Sequence, residues 1–302
     1  MRISWSLWNA LHQTDWRLLH FATFPLYLLA LLATFSAYLQ VRRTLALPKF
    51  AGFSRKYPRS AYKYLNNQYL ARDLTTCTRA SALTHHYRYL HATFGENFLK
   101  KILFGRATLW EEKVENHIYG VALGLSTPID MEGELSLSFQ ADGDDIFILS
   151  FSVVPGWLPG LQTEHVLLIA RLQGSKGCFE QIRMSTKALQ ETSPPLVLIA
   201  AVQGVATALG IRQLAGVSAA KQSSNGGLNP VDYETAYDAF WRSLGATRAS
   251  PDFFHIPLPL PEKPIELIKR NHRSRTRAKR LFRKQISERV HQSFQSMQPS
   301  QN

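Results

Sequence analysis

Glu132 and Glu134 stand two residues apart, at the entry to a run of alternating apolar and polar residues. In a strand, positions i and i+2 share a face. Two carboxylates on one face can divide general acid and general base work when their surroundings separate their pKa values. The plain alternative is a pair of solvated carboxylates at a strand start. A second candidate follows the apolar run His165–Leu172, where Gln173-Gly174-Ser175-Lys176-Gly177 puts small residues at a necessary turn. Glycines let backbone N–H groups approach an anion, and a following helix start favours negative charge. Lys176 adds a point charge. A pyrophosphate, such as that of coenzyme A, suits this loop; an ordinary turn is the alternative.

A third candidate is basic. Arg273, Arg277, Arg280 and Lys284 follow 4, 3, 4 spacing and make one stripe on a helix, with Leu281, Phe282 and Ile286 as a short apolar patch. Such a segment can lie on anionic lipid or bind phosphate backbones without sequence choice. It can also be a solvated helix that pairs with acidic patches of its own body. Residues 262–290 hold 11 Lys and Arg against three Glu, whereas the whole chain of 302 residues carries only +13. The charge is concentrated at one end, which points to an anionic partner there.

Other chemistry is excluded or weakly supported. There is no G-x-S-x-G elbow, Walker A loop, H-E-x-x-H or post-strand G-x-G-x-x-G. This argues against a serine hydrolase, a P-loop NTPase, a zinc protease and a Rossmann dehydrogenase. His86 and His91 are five residues apart, a poor match to an i, i+4 metal pair. With His85 and His165 they read as structural or surface histidines, and no metal is expected. Cys77 and Cys178 read as two thiols in a reducing compartment, with a disulfide between them as the alternative.

The elements that position these residues follow from composition and periodicity. An apolar fraction of 45% with 19% charged residues is globular, neither disordered nor polytopic. Residues 1–50 form an apolar N-terminal helical segment and 51–115 a helical region. Residues 116–260 form an α/β core, and 261–302 a Pro-rich linker with a basic helical tail. Within the core, 117–125 is a strand. Glu134–Gln140 and Ile146–Val154 make a hairpin around Asp142-Gly143. The central strand 165–172 precedes helices at 181–191 and 196–209 and a strand at 211–219. A flexible loop at 223–227, a helix at 232–244 and a strand at 253–256 follow. The fold class is α+β: a helical N-terminal region, a mostly antiparallel mixed sheet with flanking helices, and a basic C-terminal helix.

From Leu18 to Val41 there is no Asp, Glu, Lys or Arg. That run is long enough to span a bilayer, and Arg42 and Arg43 would then face the cytoplasm. His20, Pro25 and Gln40 dilute it, so a buried or surface-docked helix and a membrane-lying helix stand beside the span. A signal sequence is disfavoured, because Asp15 interrupts the leader and no A-x-A site follows.

Several segments in order carry a family resemblance. They are Lys63-Tyr64-Leu65, Leu83-Thr84-His85-His86-Tyr87-Arg88, Glu132-Gly133-Glu134-Leu135-Ser136-Leu137, Ile169-Ala170-Arg171-Leu172-Gln173-Gly174, Thr186-Lys187-Ala188-Leu189 and Tyr237-Asp238-Ala239-Phe240-Trp241. With the Arg/Lys-rich end, they make the chain resemble the bacterial VirK/YbjX family over about residues 50–290, with 18–41 outside. The resemblance implies a bacterial protein tied to virulence, envelope integrity and tolerance of antimicrobial peptides. The order of elements is also similar to a GNAT-type acyltransferase core, whose phosphate-holding loop Q/R-x-x-G-x-G/A differs from residues 173–177. Fold analogy alone does not assign activity.

Two functional expectations follow. In one, an acyl-CoA donor sits on residues 173–177, Glu132 or Glu134 is the base, and an envelope component is acylated at the inner membrane from the cytoplasmic side. In the other, a non-catalytic adaptor binds an anionic membrane surface or an envelope protein through the tail, supporting delivery of surface proteins. Nucleic acid has only the tail in its favour. Oligomeric state is not legible.

Overall fold

A computed structural model describes residues 34–126, 130–223 and 230–297. The hairpin is its simplest part. Leu135, Leu137 and Phe139 alternate inward on β3 (Leu135–Ala141), as do Leu149, Phe151 and Val153 on β4 (Asp144–Pro155). Asp142 and Gly143 turn between them with φ of 52° and 92°, the pair of left-handed residues that a tight hairpin requires. β2 (His117–Leu125) pairs with β3, and β1 (Arg106–Val114) pairs with β2.

β1 corrects the expectation that 51–115 is helical. A bulge at Leu109 sends both Leu109 and Trp110 inward and breaks the alternation that marks a strand in sequence. The preceding residues are helical as expected. They form α1 (Phe35–Leu45), α2 (Ala51–Lys56), α3 (Thr76–Thr93) and α4 (Glu96–Phe104), with a 3-10 helix over Pro58–Leu65. Thr75 caps α3, its Oγ1 accepting the Thr78 N–H at 3.1 Å. α3 packs on β4, and α4 on β1 and β2.

β5 (His165–Gly174) is buried on both faces from Val166 to Ala170, as a central strand must be. It leads through α5 (Phe179–Ala188) and α6 (Pro194–Ala208) to β6 (Gln213–Val217). β6 is shorter than the 211–219 expected. α7 (Pro230–Ser243), the two-residue β7 (Thr247–Arg248) and β8 (Phe253–Pro257) follow. The sheet has eight strands among the described residues, in the order β1-β2-β3-β4-β5-β6-β8-β7. Among the described strands only β5 and β6 pair in parallel. Most of the expected loop at 223–227 lies outside the described residues, as does 18–33 of the apolar run. No helix among the described residues is long and apolar enough to cross a membrane.

α6 is apolar almost all round because it is covered on both sides. Beneath it lie β3, β4 and β5, and above it lies α8 (Arg273–Ser296). Phe282, Ile286, Val290 and Phe294 of α8 are buried in the same core cluster as the sheet. A Cβ at Gly204 of α6 would stand 2.4 Å from the Ser287 carbonyl oxygen, so the helices cross at a point where only glycine fits. The last turns of α8 pass the β1 edge. There Arg289 donates to the Glu111 carbonyl at 2.7 Å, and Phe294 meets Phe94 and Phe98 at ring distances of 5.7 and 5.3 Å. The edge strand is thereby shielded. The Pro-rich stretch before α8 also lies on the body: Leu258 and Leu260 pack on the core, and Pro261 covers Gly245.

Candidate functional site

Gly133 places the two carboxylates. Its φ is +143°, and a Cβ there would meet the Phe151 nitrogen at 2.8 Å, so the turn into β3 presses directly on β4. The Glu134 N–H donates to the Phe151 carbonyl and to Ser152 Oγ, both at 3.1 Å. Its carboxylate enters the space under α3. There Lys63 Nζ pairs with Oε1 at 3.0 Å and Tyr87 donates its hydroxyl to Oε2 at 2.6 Å. Lys63 also donates to the Gly133 carbonyl at 3.3 Å. Glu134 is 1% and Lys63 3% exposed, so the expectation of solvated carboxylates fails here. Burial, and then the charge of Glu134, hold the phenols of Tyr69 and Tyr87 well above their usual pKa. Compensated and enclosed in this way, Glu134 is a structural ion-pair partner before it is a base.

Glu132 is placed differently. It is 6% exposed, and its carboxylate lies 3.5 Å from Arg171 Nε. Arg171 also pairs with Asp130 at 2.8 Å, and Asp130 in turn accepts the Glu132 N–H at 2.9 Å. A bulge arranges this. Ser150 faces Arg171 across the ladder and Phe151 faces Ile169, so Ala170 is the extra residue on β5. The bulge re-aims Arg171 toward the acids and ends the pairing with β6, which covers only Leu167–Ile169. Sequence reasoning missed Arg171. Its signal was a lone arginine within an otherwise apolar strand, three residues before Gly174.

Gln173 and Gly174 are the last residues of β5, opposite Ile148 and Phe147. Ser175 ties the turn to β4, its N–H donating to the Ile146 carbonyl at 3.0 Å and its hydroxyl to the Asp145 carbonyl at 2.7 Å. Gly177, at φ +83°, turns the chain into α5, whose first N–H groups have no partner within the helix. Lys176 is exposed. The structure does not bring this loop and the carboxylates within hydrogen-bond reach. Along β4 they are four residues apart, about 13 Å at a strand's rise.

Three of the four residues of the basic stripe are engaged within the chain. Arg273 donates to the carbonyls of Ile268 and Glu266, Arg280 pairs with Glu262 at 3.2 Å, and Lys284 with Glu288 at 3.7 Å. Arg277 is exposed and forms no ion pair among the described residues. Phe282 and Ile286, expected as an open apolar patch, are buried against the body; Leu281 alone of that patch faces solvent.

Of the histidines, His86 is fully buried. Its Nδ1 accepts the Val153 N–H at 3.1 Å, which places its proton on Nε2, and burial drives its pKa down to about 3. His85 Nε2 lies 3.0 Å from His165 Nδ1, and burial followed by the His165 charge lowers its pKa to about 4. No group of three potential ligands that could hold a metal occurs among the described residues, and both cysteines are free thiols. Because both folded-state pKa values lie below 6.5, the unfolded chain takes up these protons first. The stability these histidines contribute is present above pH 6.5 and lost as pH falls toward 4 and 3. In His86→Asn the amide oxygen can still accept the Val153 N–H, so urea midpoints of this variant should fall less over that window than wild type. Parallel curves would refute the role given to His86.

A family model described as "Protein of unknown function (DUF535)" matches residues 20–292. The match extends beyond the segments that carried the sequence resemblance and takes in most of the apolar run as well. A search of curated proteins found no match, and neither did a search of solved structures. With nine-tenths of its length covered, the chain belongs to the DUF535 family, to which the VirK/YbjX proteins also belong.

Proposed function

We propose that this protein transfers an acyl group from an acyl-CoA-type thioester to an amine or hydroxyl of a bacterial envelope component. The observation that carries the reading is the single parallel pair, β5 and β6, which diverges at the Ala170 bulge beside a glycine-containing turn. In sheets with parallel strands, ligands sit in the crevice beyond the carboxyl ends at such a switch point. From β2 to β5 the strands form an antiparallel meander that joins β6 in parallel, an arrangement that supports this reading. Arg171-Leu-Gln-Gly174-Ser-Lys176 agrees with Q/R-x-x-G-x-G/A except at its last residue.

The residues fit a pyrophosphate arm. Gly177 and the first turn of α5 supply backbone N–H groups, and Lys176 supplies charge. Glu132 reaches the side chain of Arg171, three residues before Gly174 on β5. Glu132 is then the base, with Arg171 orienting its carboxylate. It takes a proton from the acceptor as the acceptor's lone pair attacks the thioester carbon. The C–S bond breaks, and the thiolate leaves and is protonated by solvent.

The test is thermal stability of the full chain with long-chain acyl-CoA. A ligand of the folded state raises the melting temperature once its concentration exceeds its Kd. The expected result is a saturable rise that survives moderate salt, is not reproduced by inorganic pyrophosphate, and is reduced in Lys176→Glu. No rise at millimolar acyl-CoA ends the reading. It then favours the non-catalytic adaptor of the envelope, which is also supported by the pairing of both carboxylates with cations.

A further inference from the structure

One layer of the molecule joins basic charge to bare hydrophobic side chains. The segment from Glu262 to His272 folds back along the first half of α8: Glu262 lies 3.2 Å from Arg280 and 3.6 Å from Arg283, and Arg273 reaches back to Glu266 and Ile268. The apolar stripe of α8 is spent on α6, so the outward side is what remains after docking. On it Arg270 and Arg277 are exposed and form no ion pair among the described residues, and Lys284 has only the exposed Glu288. Burial and the neighbouring Arg275 hold Lys279 below its usual pKa, a sign of crowded positive charge.

Leu267 and Leu281 are 64% and 57% exposed within this same layer. Glu191, which follows α5, is gripped by Arg275 and ties that helix to α8. α5 itself exposes Phe179 and Met184. These four make half of the eight large apolar side chains exposed among the described residues. A soluble polyanion would reward the cations alone. Leucines set among cations gain only when they enter an apolar medium behind a layer of negative charge.

We propose that this layer docks the protein flat onto an anionic bilayer, its cations at the lipid phosphates and the bare side chains of Leu267 and Leu281 in the interface. The proposal does not depend on acyl transfer. It also differs from a free basic tail, since the layer is presented by a helix fixed to the core.

The experiment is co-sedimentation of the full chain with phosphatidylcholine vesicles, with and without phosphatidylglycerol. Any affinity contributed by the apolar run 18–41 is common to all variants and registers on the neutral vesicles. Wild type should prefer the anionic vesicles. Arg270→Glu/Arg277→Glu/Lys284→Glu should lower that partition at least ~100-fold at an unchanged melting temperature, about fivefold per cation. Leu267→Ser/Leu281→Ser should lower it about tenfold. Equal binding to both vesicle types overturns the proposal, as does wild-type partition of the charge-reversed protein. Leucine variants that bind vesicles like wild type, while duplex DNA competes efficiently, would make the layer a plain polyanion surface and also overturn it.

Discussion

Removing α8 is expected to abolish cooperative folding of the remaining chain. Phe282, Ile286, Val290 and Phe294 are buried in the common core, and each such side chain contributes about 1.5–3 kcal/mol. Together they approach the whole stability of a typical domain, about 5–15 kcal/mol. Their loss would also bare the outer side of α6. A chain ending before Arg273 should give no sigmoidal urea transition and should bind a hydrophobic dye. If it unfolds cooperatively near the wild-type midpoint, α8 is an accessory. The point equivalent is Gly204→Val, because any Cβ there collides with the Ser287 carbonyl. Deleting the basic tail to test for membrane binding would therefore confound docking with unfolding, which is why charge reversal on the outward side is the sharper instrument.

Lys63→Met should destabilise the fold by about 3–5 kcal/mol, because it leaves the Glu134 carboxylate buried without its cation. Adding Glu134→Gln should recover at least half of that loss. The amide removes the stranded charge and still offers an oxygen to the Tyr87 hydroxyl. Urea midpoints of the two single variants and the double variant form a cycle that isolates the coupling. Additive effects would mean that the pair does not act as a unit and that Glu134 is free for another role. The same cycle on Glu132 and Arg171 should show a weaker coupling, since that contact is longer and Arg171 is partly exposed.

Local order was legible in the sequence where the signal was local. The β3–β4 hairpin follows from strict alternation around Asp142-Gly143, and β5 follows from its unbroken apolar run. β1 was hidden because its bulge puts two consecutive residues inward. The i, i+2 spacing of Glu132 and Glu134 suggested one shared face, whereas the two carboxylates take different partners, Lys63 and Tyr87 for Glu134 and Arg171 for Glu132. Their burial was not readable, because Lys63 lies 71 residues from Glu134 and Tyr87 lies 47 away. Arg171 was overlooked for the same reason, since its importance rests on a bulge and on acids from another segment. In the tail, the basic stripe drew attention from the stripe beside it. Phe282, Ile286, Val290 and Phe294 recur every four residues, a plain helical docking pattern.

The cover that α8 provides has a consequence for how the chain is made. Roughly 90 residues separate the end of α6 from the last buried residue of α8, and synthesis proceeds at about 5–20 residues per second. For several seconds in every round of translation, the nascent protein must carry α6 with its outer apolar side uncovered. Nothing earlier in the described chain can close that surface, because the partner has not yet left the ribosome. The protein is thus a natural client for holding factors that bind exposed hydrophobic helices, and its yield should be sensitive to their supply.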